Sequence, residues 1–200
     1  MMTRGVRALL ERVLEREGWK KGVINRAADR GGLTKGGITS RPLSIYLGRL
    51  ATLADFEALT YEQAIEIYFS QFVVQPGYVL ICDPWLQELV VDFGIIAGAD
   101  DATPALQAAL AADGLYTGKV DGVFGPKTAA AVNAADATRI GVRVLMTRSR
   151  KHVDVTMNDP AMVAFLKANP KAQAHNYRGW NNRVLELVEA RLLGRKAVQA

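Results

Sequence analysis

Apolar residues near the N-terminus recur at the three- and four-residue spacing of a single helical face. The residues that form this stripe are Val6, Leu9, Leu10, Val13 and Leu14. Charged side chains occupy most of the intervening positions, so the segment predicts an amphipathic helix that buries one face. Gly18 ends the pattern and places Glu17 in the last helical turn. The chain must therefore cover this stripe with further elements, and it carries a carboxylate at the edge of the resulting core.

Most of the remaining chain also carries helical signals, so we expect a mainly α fold. Thr60 and Gln63 form a capping-box pattern, and Pro84 and Pro126 stand where prolines commonly open helices. The exception is the segment 18–41, which is rich in glycine and predicts irregular structure with a small β-hairpin. The predicted helices span residues 42–50, 60–72, 84–98, 103–114, 126–135, 139–157, 160–168 and 171–193.

The composition indicates a globular protein. Half of the 200 residues are apolar, which suits one large domain or two small ones. The most apolar window, residues 79–99, is interrupted by Asp83, Glu88 and Asp92, so we expect no transmembrane segment. Residues 1–17 are charged throughout and lack the apolar core of a secretory signal, so we expect synthesis in the cytoplasm. The single cysteine, Cys82, excludes an intramolecular disulfide.

Positive charge is concentrated in the C-terminal half. Residues 101–200 carry 14 Lys and Arg against 8 Asp and Glu, whereas residues 1–100 carry 11 against 12. Such a half attracts anionic polymers, although a solvated surface has the same composition. No motif that reads nucleic acid accompanies the charge, so we expect no nucleic acid partner. The basic residues concerned are Arg139, Arg143, Arg148, Arg150, Lys151, Arg178, Arg183, Arg191, Arg195 and Lys196.

The segment after the first helix contains the residue types that glycoside hydrolysis needs. Glu17 could donate a proton to the leaving oxygen, while Asp29 and Thr34 could place or activate a water. We expect Trp19 to shelter Glu17 from water, because exclusion of water favours the neutral carboxyl. A solvated helix end followed by capped turns would have the same residues. Candidate substrate contacts are the ring of Trp19, the backbone of Gly31 and Gly32, and Thr39.

A second group of residues lies between Leu106 and Val132. Asp121-Gly122 predicts a tight turn in which Asp121 bonds its own backbone. The order Leu-Gln, short loop, Asp-Gly-x-Phe-Gly and Thr-x-x-Ala-Val resembles the core of a peptidoglycan-binding repeat. Most of these side chains are expected to support the fold, and Tyr116 in the loop is the candidate contact with glycan or stem peptide.

Longer stretches of the chain resemble the phage-type lysozymes of glycoside hydrolase family 108. The resemblance is carried by Glu17-Gly18-Trp19, Asp29-Arg30-Gly31-Gly32, Thr34, Gly37-Ile38-Thr39, Leu59 to Tyr68, and Arg178 to Arg183. It implies a lysozyme-like helical fold and muramidase activity on peptidoglycan, with Glu17 as the catalytic acid. It also implies substrate contacts near Asp92 and in the C-terminal motif, where we select Trp180 and Asn181. No cofactor is implied, and His152 and His175 lack the neighbours that a metal site needs.

These observations predict a monomeric N-acetylmuramidase, or lysozyme, that binds peptidoglycan and acts as a phage or prophage endolysin after holin-dependent release. The predicted organisation is a catalytic part at 1–100, a peptidoglycan-binding-like segment at 101–136, and C-terminal helices at 137–200 that pack on the catalytic part. The basic C-terminal helices would attract anionic envelope polymers. The alternatives are a lytic transglycosylase, a non-catalytic wall-binding protein, and a bacterial secretion activator of the same family.

Overall fold

The computed structural model describes residues 2–26, 32–158 and 164, and within them the protein is mainly helical, as the sequence predicts. Eight α-helices and one three-stranded sheet form most of the regular structure in these ranges. The chain divides into two compact units, Met1–Leu80 and Ile81–Ala200. The domain boundaries predicted after residues 100 and 136 stay predictions.

The first unit is built around the predicted amphipathic helix. Helix α1, Arg4–Arg16, buries the whole apolar stripe, and the Val6 amide N–H donates to the capping Thr3 hydroxyl at 3.3 Å. Glu17 is the C-cap, so the helix ends where Gly18 predicts. The other helices of this unit are α2 (Ser40–Leu47), α3 (Leu53–Ala58) and α4 (Tyr61–Phe69). Short 3₁₀ turns span Trp19–Lys21 and Tyr78–Leu80, and a π-helical turn spans Ser70–Val74.

Helices α3 and α4 both begin with capping boxes. The Gln63 amide N–H donates to the Thr60 hydroxyl at 3.3 Å, and the Gln63 side chain accepts from the Thr60 amide at 2.9 Å, which confirms the predicted box. Thr52 and Asp55 repeat this arrangement on α3. The Arg49 guanidinium donates to both oxygens of Asp55 at 2.7 and 2.6 Å. This pairing with Arg49 lowers the pKa of Asp55 below its ordinary value, and the hydrogen bonds from Thr52 lower it further.

The glycine-rich segment folds into a three-stranded antiparallel sheet, one strand more than the predicted hairpin. Strands β1 (Val23–Arg26), β2 (Gly32–Lys35) and β3 (Ile38–Thr39) neighbour one another in sequence order. The central strand is β2, in which Thr34 stands opposite Ile24 on one side and Thr39 on the other. The turn between β2 and β3 consists of Gly36 and Gly37.

The described part of the second unit contains four α-helices, with a loop at residues 113–125 between the second and the third. It comprises α5 (Pro84–Ala97), α6 (Ala99–Ala112), α7 (Pro126–Ala134) and α8 (Ala137–Asn158). Helices α5, α6 and α8 pack on one another, and Gly141 of α8 lies so close to the Trp85 ring of α5 that a Cβ there would collide with it. The predicted starts of α5 and α7 at Pro84 and Pro126 are confirmed.

Helix α6 starts earlier than the sequence predicts. It begins at Ala99 instead of at residue 103, and Pro104 lies inside it. The first turn closes ahead of the proline, because the amides of Asp101 and Ala102 both donate to the Gly98 carbonyl at 3.2 Å. Proline then removes a single donor from a helix that is already formed.

Two further expectations concern membrane spans and the last two predicted helices. In residues 2–26 and 32–158, no helix is long and apolar enough to cross a membrane. The helices predicted at 160–168 and 171–193 lie outside the described residues, with residue 164 as the exception.

Candidate active site

The C-terminal end of α1 presents Glu17 at the surface of the first unit. Its amide N–H donates to the Val13 carbonyl at 2.9 Å and so completes the helix. The Glu17 side chain is exposed. The prediction that Trp19 shelters this carboxyl from water is therefore wrong. The carboxyl instead stands where a polymer can reach it.

The turn between β2 and β3 lies directly against Glu17. Gly36 and Gly37 have φ angles of 54° and 76°, as a tight two-residue hairpin turn requires. A Cβ on Gly37 would lie 3.0 Å from Cγ and 3.2 Å from Cβ of Glu17, and it would collide with the Tyr68 hydroxyl. A Cβ on Gly36 would come within 2.7 Å of the Trp19 ring. Glycine at both positions therefore lets the hairpin backbone approach the end of α1.

Trp19 is half-buried beside this turn. The Lys35 ammonium lies 4.9 Å from the centre of the indole, and the Tyr61 ring meets it edge-on at 5.4 Å between centroids. Lys35 is itself held by hydrogen bonds of 3.1 and 2.8 Å to the carbonyls of Glu57 and Leu59. A cation therefore covers one face of the indole. Sugar stacking on Trp19 stays a prediction, and it would have to use the face that Lys35 leaves open.

Thr34 and Thr39 are predicted site residues that the sheet brings together. They are directly opposite in β2 and β3, so their side chains stand on the same face. Thr34 is half-buried and Thr39 is exposed, whereas Ile38, on the opposite face, is buried. Each threonine is two residues from the glycine turn, roughly 7 Å along its strand. The hairpin that touches Glu17 thus carries two hydroxyl groups nearby, and the role of Thr34 in placing water stays a prediction.

The remaining candidates near the first helix are only partly described. Gly32 begins β2 and stands opposite Arg26. Asp29, Gly31, Trp180 and Asn181 lie outside the described residues. The catalytic role of Asp29 and the substrate contacts of the other three therefore stay predictions.

Asp92 lies in the interior of the second unit instead of on a binding surface. It stands on α5 with 2% of its surface exposed, and its Oδ2 accepts a 2.8 Å hydrogen bond from Arg148 of α8, which is fully buried. The Arg148 guanidinium also lies 5.7 Å from the centre of the Phe93 ring. This ion pair corrects the predicted substrate contact, since a carboxylate enclosed among helices offers no surface to a glycan.

Tyr116 lies in a loop that is organised by Gln107. From its fully buried position on α6, the Gln107 amide donates to the Tyr116 hydroxyl at 3.2 Å and to Asp121 Oδ1 at 2.9 Å. The Gln107 side-chain oxygen accepts from the amides of Asp121 and Gly122 at 3.1 and 3.0 Å. The Tyr116 hydroxyl donates onward to the Lys119 carbonyl at 3.2 Å. Tyr116 therefore supports the loop, and its contact with the cell wall stays a prediction.

The turn predicted at Asp121-Gly122 is confirmed. Asp121 Oδ1 accepts from the Val123 amide at 2.9 Å. The hydrogen bond from Gln107 lowers the pKa of Asp121 most, and the bond from the Val123 amide lowers it further. The surrounding loop exposes apolar side chains, of which Val123 is the most exposed at 65%.

Four of the basic residues that were expected to attract anionic polymers are paired with acids. Arg139 and Arg143 each contact an oxygen of Asp113 at 2.8 Å, and Lys151 pairs with Asp101. The fourth is the buried Arg148. Five further basic residues of that group, from Arg178 onward, lie outside the described residues. Attraction of envelope polymers by the C-terminal half stays a prediction. The acidic partners neutralise part of the positive charge of the paired residues, so these residues attract anions less than their number suggests.

Two residues have roles that the sequence pattern did not reveal. Tyr68 of α4 is 5% exposed, and its hydroxyl donates to the Gly36 carbonyl at 3.0 Å. Gln107 organises the loop just described. In both cases the available signal was a polar group on an otherwise apolar helix face, because a buried hydroxyl or amide needs a hydrogen-bond partner.

Comparison with known proteins places two domains in succession along the chain. Residues 10–98 match the family model described as "Glycosyl hydrolase 108", and residues 101–185 match the model described as "Predicted Peptidoglycan domain". The chain is also similar to a solved structure described as "Structure of Brucella abortus SagA", with a TM-score of 0.62 and 26% identity over 92% of this chain and 97% of that one. Among curated proteins no match was found.

Proposed function

We propose that the chain, which contains a glycosyl hydrolase 108 domain followed by a peptidoglycan-binding domain, is an N-acetylmuramidase that acts on peptidoglycan. It would hydrolyse the β-1,4 bond between N-acetylmuramic acid and N-acetylglucosamine. The observation that carries this proposal is the placement of Glu17, an exposed carboxyl whose side-chain stem lies against the Gly36-Gly37 turn. A proton donor must be both accessible to the polymer and held in position.

In the proposed mechanism Glu17 donates its proton to the leaving glycosidic oxygen as the bond to C1 breaks. Because Glu17 is exposed, a glycan chain can reach it and exclude water from the reacting atoms. Asp29 and Thr34 hold a water on the opposite face of the sugar. The oxygen of this water bonds to C1 and its proton passes to Asp29. An inverting reaction of this kind requires a separation of roughly 6.5–9.5 Å between the two carboxyl groups.

The Glu17→Gln substitution tests the proposal. It keeps the size of the side chain and removes the proton donor, so clearing of purified cell walls should fall roughly 100- to 10,000-fold. Glu15→Gln is the matched control, since Glu15 is an exposed carboxylate on the same helix. Circular dichroism and thermal unfolding should be the same for both variants. Undiminished clearing by the Glu17→Gln protein would remove Glu17 from the role.

The products separate hydrolysis from the rival reaction of a lytic transglycosylase. A hydrolase adds water and leaves ordinary reducing ends, whereas a transglycosylase uses the hydroxyl of the substrate and leaves anhydro ends. Mass spectrometry of digested muropeptides distinguishes these ends. If the protein only binds the wall, pull-down will occur without any glycan cleavage.

The proposed biological setting is lysis by a phage or prophage endolysin, made in the host cytoplasm and released through a holin. Co-expression with a holin should lyse the host, and neither protein alone should do so. The alternative is a bacterial secretion activator of the same family. The similarity to a structure from Brucella abortus makes this alternative worth testing. Retention of activity with no holin-dependent lysis would support that alternative.

A further inference from the structure

We infer that Tyr68 is a positioning residue for the catalytic carboxyl, which it orients by holding the Gly36-Gly37 turn against the Glu17 side chain. The inference rests on the proposed role of Glu17. It adds a residue on a different helix, 51 positions further along the sequence, to the machinery of proton donation.

The Tyr68 side chain is fixed at both of its ends. Its ring is buried in the first unit and packs at 5.3 Å between centroids against Phe72, with 31° between the ring planes. Its hydroxyl donates to the Gly36 carbonyl at 3.0 Å. A tyrosine held in this way anchors the backbone that it binds, since the ring cannot follow a displaced turn without losing its own contacts.

The Tyr68 hydroxyl and the stem of Glu17 meet at one point of the turn. A Cβ on Gly37 would collide with the hydroxyl, and its position lies 3.0 Å from Cγ and 3.2 Å from Cβ of Glu17. The absent side chain of Gly37 therefore leaves a space that is filled from one side by the hydroxyl and from the other by Cβ and Cγ of Glu17. The turn backbone forms a wall along the side chain that carries the carboxyl.

This wall limits the directions that Glu17 can take. An exposed glutamate at a helix end ordinarily samples several staggered rotamers. A backbone turn in contact with its Cβ and Cγ excludes those that would cross the turn. Two consecutive glycines are intrinsically mobile, so the wall is only as firm as its attachment. Because misplacement of a reacting group by 1 Å can lower a rate about 100-fold, the hydrogen bond from Tyr68 bears on turnover.

The Tyr68→Phe substitution tests this inference in the full-length chain. It keeps the ring and removes the hydroxyl, so kcat on solubilised peptidoglycan should fall roughly 10- to 100-fold while KM changes little. The matched control is Tyr46→Phe, which removes a hydroxyl that donates to Glu66 at 2.7 Å on an exposed surface. It should keep the kcat of the parent. NMR relaxation of a ¹³C-labelled Glu17 side chain should show greater mobility in Tyr68→Phe than in the parent, and no increase in Tyr46→Phe.

The possible outcomes distinguish this inference from the proposed function. Full activity of Glu17→Gln would overturn both. An inactive Glu17→Gln together with a fully active Tyr68→Phe would overturn the positioning role alone. So would an equal loss of kcat and of melting temperature in Tyr68→Phe and Tyr46→Phe, because general destabilisation would then explain both. A lower kcat with an unchanged melting temperature and a mobile Glu17 supports the inference.

Discussion

Asp92 and Arg148 are charged side chains that the second unit keeps out of water. Their single hydrogen bond of 2.8 Å joins α5 to α8. Within the described part of the chain, Nε and the second terminal nitrogen of Arg148 have no hydrogen-bond partner, so the carboxylate of Asp92 is the main compensation for that buried cation. Such a pair contributes little over apolar side chains of the same volume, but removal of one partner leaves an uncompensated charge.

Replacement of Asp92 by alanine should therefore lower the free energy of unfolding by about 3–5 kcal/mol. The double variant Asp92→Leu with Arg148→Met should recover most of this loss, since it removes both charges. Urea denaturation measures both effects. Asp100→Ala, at an exposed position in the first turn of α6, is the control and should change stability by less than about 1 kcal/mol. Normal stability of Asp92→Ala would show that Arg148 has other compensation.

For single residues, the sequence predicts those features that depend on residues nearby in the chain. Glu17 was placed correctly at the end of α1, because Gly18 and the apolar stripe lie beside it in the chain. The burial of Asp92 could not be predicted in the same way. Its partner is 56 residues away, and a lone acid on an apolar helix face looks the same whether it meets a substrate or a buried arginine.

Among the elements, the loop after α6 depends on one side chain of that helix. Gln107→Met keeps the volume and removes every polar contact that Gln107 makes with Tyr116, Asp121 and Gly122. Loss of several partly buried hydrogen bonds should lower stability by roughly 3 kcal/mol. Hydrogen exchange should rise first in residues 114–125, and binding to cell walls should weaken if this loop contacts them. Unchanged exchange in the loop would contradict the role given to Gln107.

The capping box of α3 predicts a dependence of stability on pH. The pKa of Asp55 is lower in the folded chain than its ordinary value, because the carboxylate accepts hydrogen bonds from Arg49 and Thr52. Its contribution is therefore fully present above the unfolded pKa of about 3.9 and is lost as the pH falls toward the folded value. Asp55→Asn should be less stable than the parent at pH 7, and the difference should shrink at pH 3. A difference that is independent of pH in urea denaturation would refute this account.

Element boundaries show the same limit of prediction. The capping box at Thr60 and the turn at Asp121 were predicted because their partners are two or three residues apart. The third strand was missed because β3 has only two residues. The link from Tyr68 to Gly36 spans 32 residues, and the helical pattern around Tyr68 indicates only that its ring faces inward.

For the whole molecule, the uneven charge predicts salt-sensitive adsorption. The half at 101–200 has six more basic than acidic residues, since it carries 14 against 8. Raising the ionic strength from 0.1 to 1 M shortens the Debye length from about 10 to 3 Å. Sedimentation of the Glu17→Gln chain with intact walls should then fall roughly tenfold in affinity. Walls stripped of anionic polymers should bind less and respond less to salt, and equal salt sensitivity of both walls would contradict the prediction.

The Gly36-Gly37 turn also restricts how this enzyme can be redesigned. Any genetically encoded replacement adds an L side chain to a backbone with φ near 54° or 76°, in a space already occupied by neighbouring atoms. Libraries that aim to alter glycan preference should therefore leave these two codons untouched and randomise the flanking strands. Semisynthesis with D-alanine at residue 37 would suit the backbone angle and direct its methyl group away from Tyr68, which separates the conformational demand on this turn from the steric one.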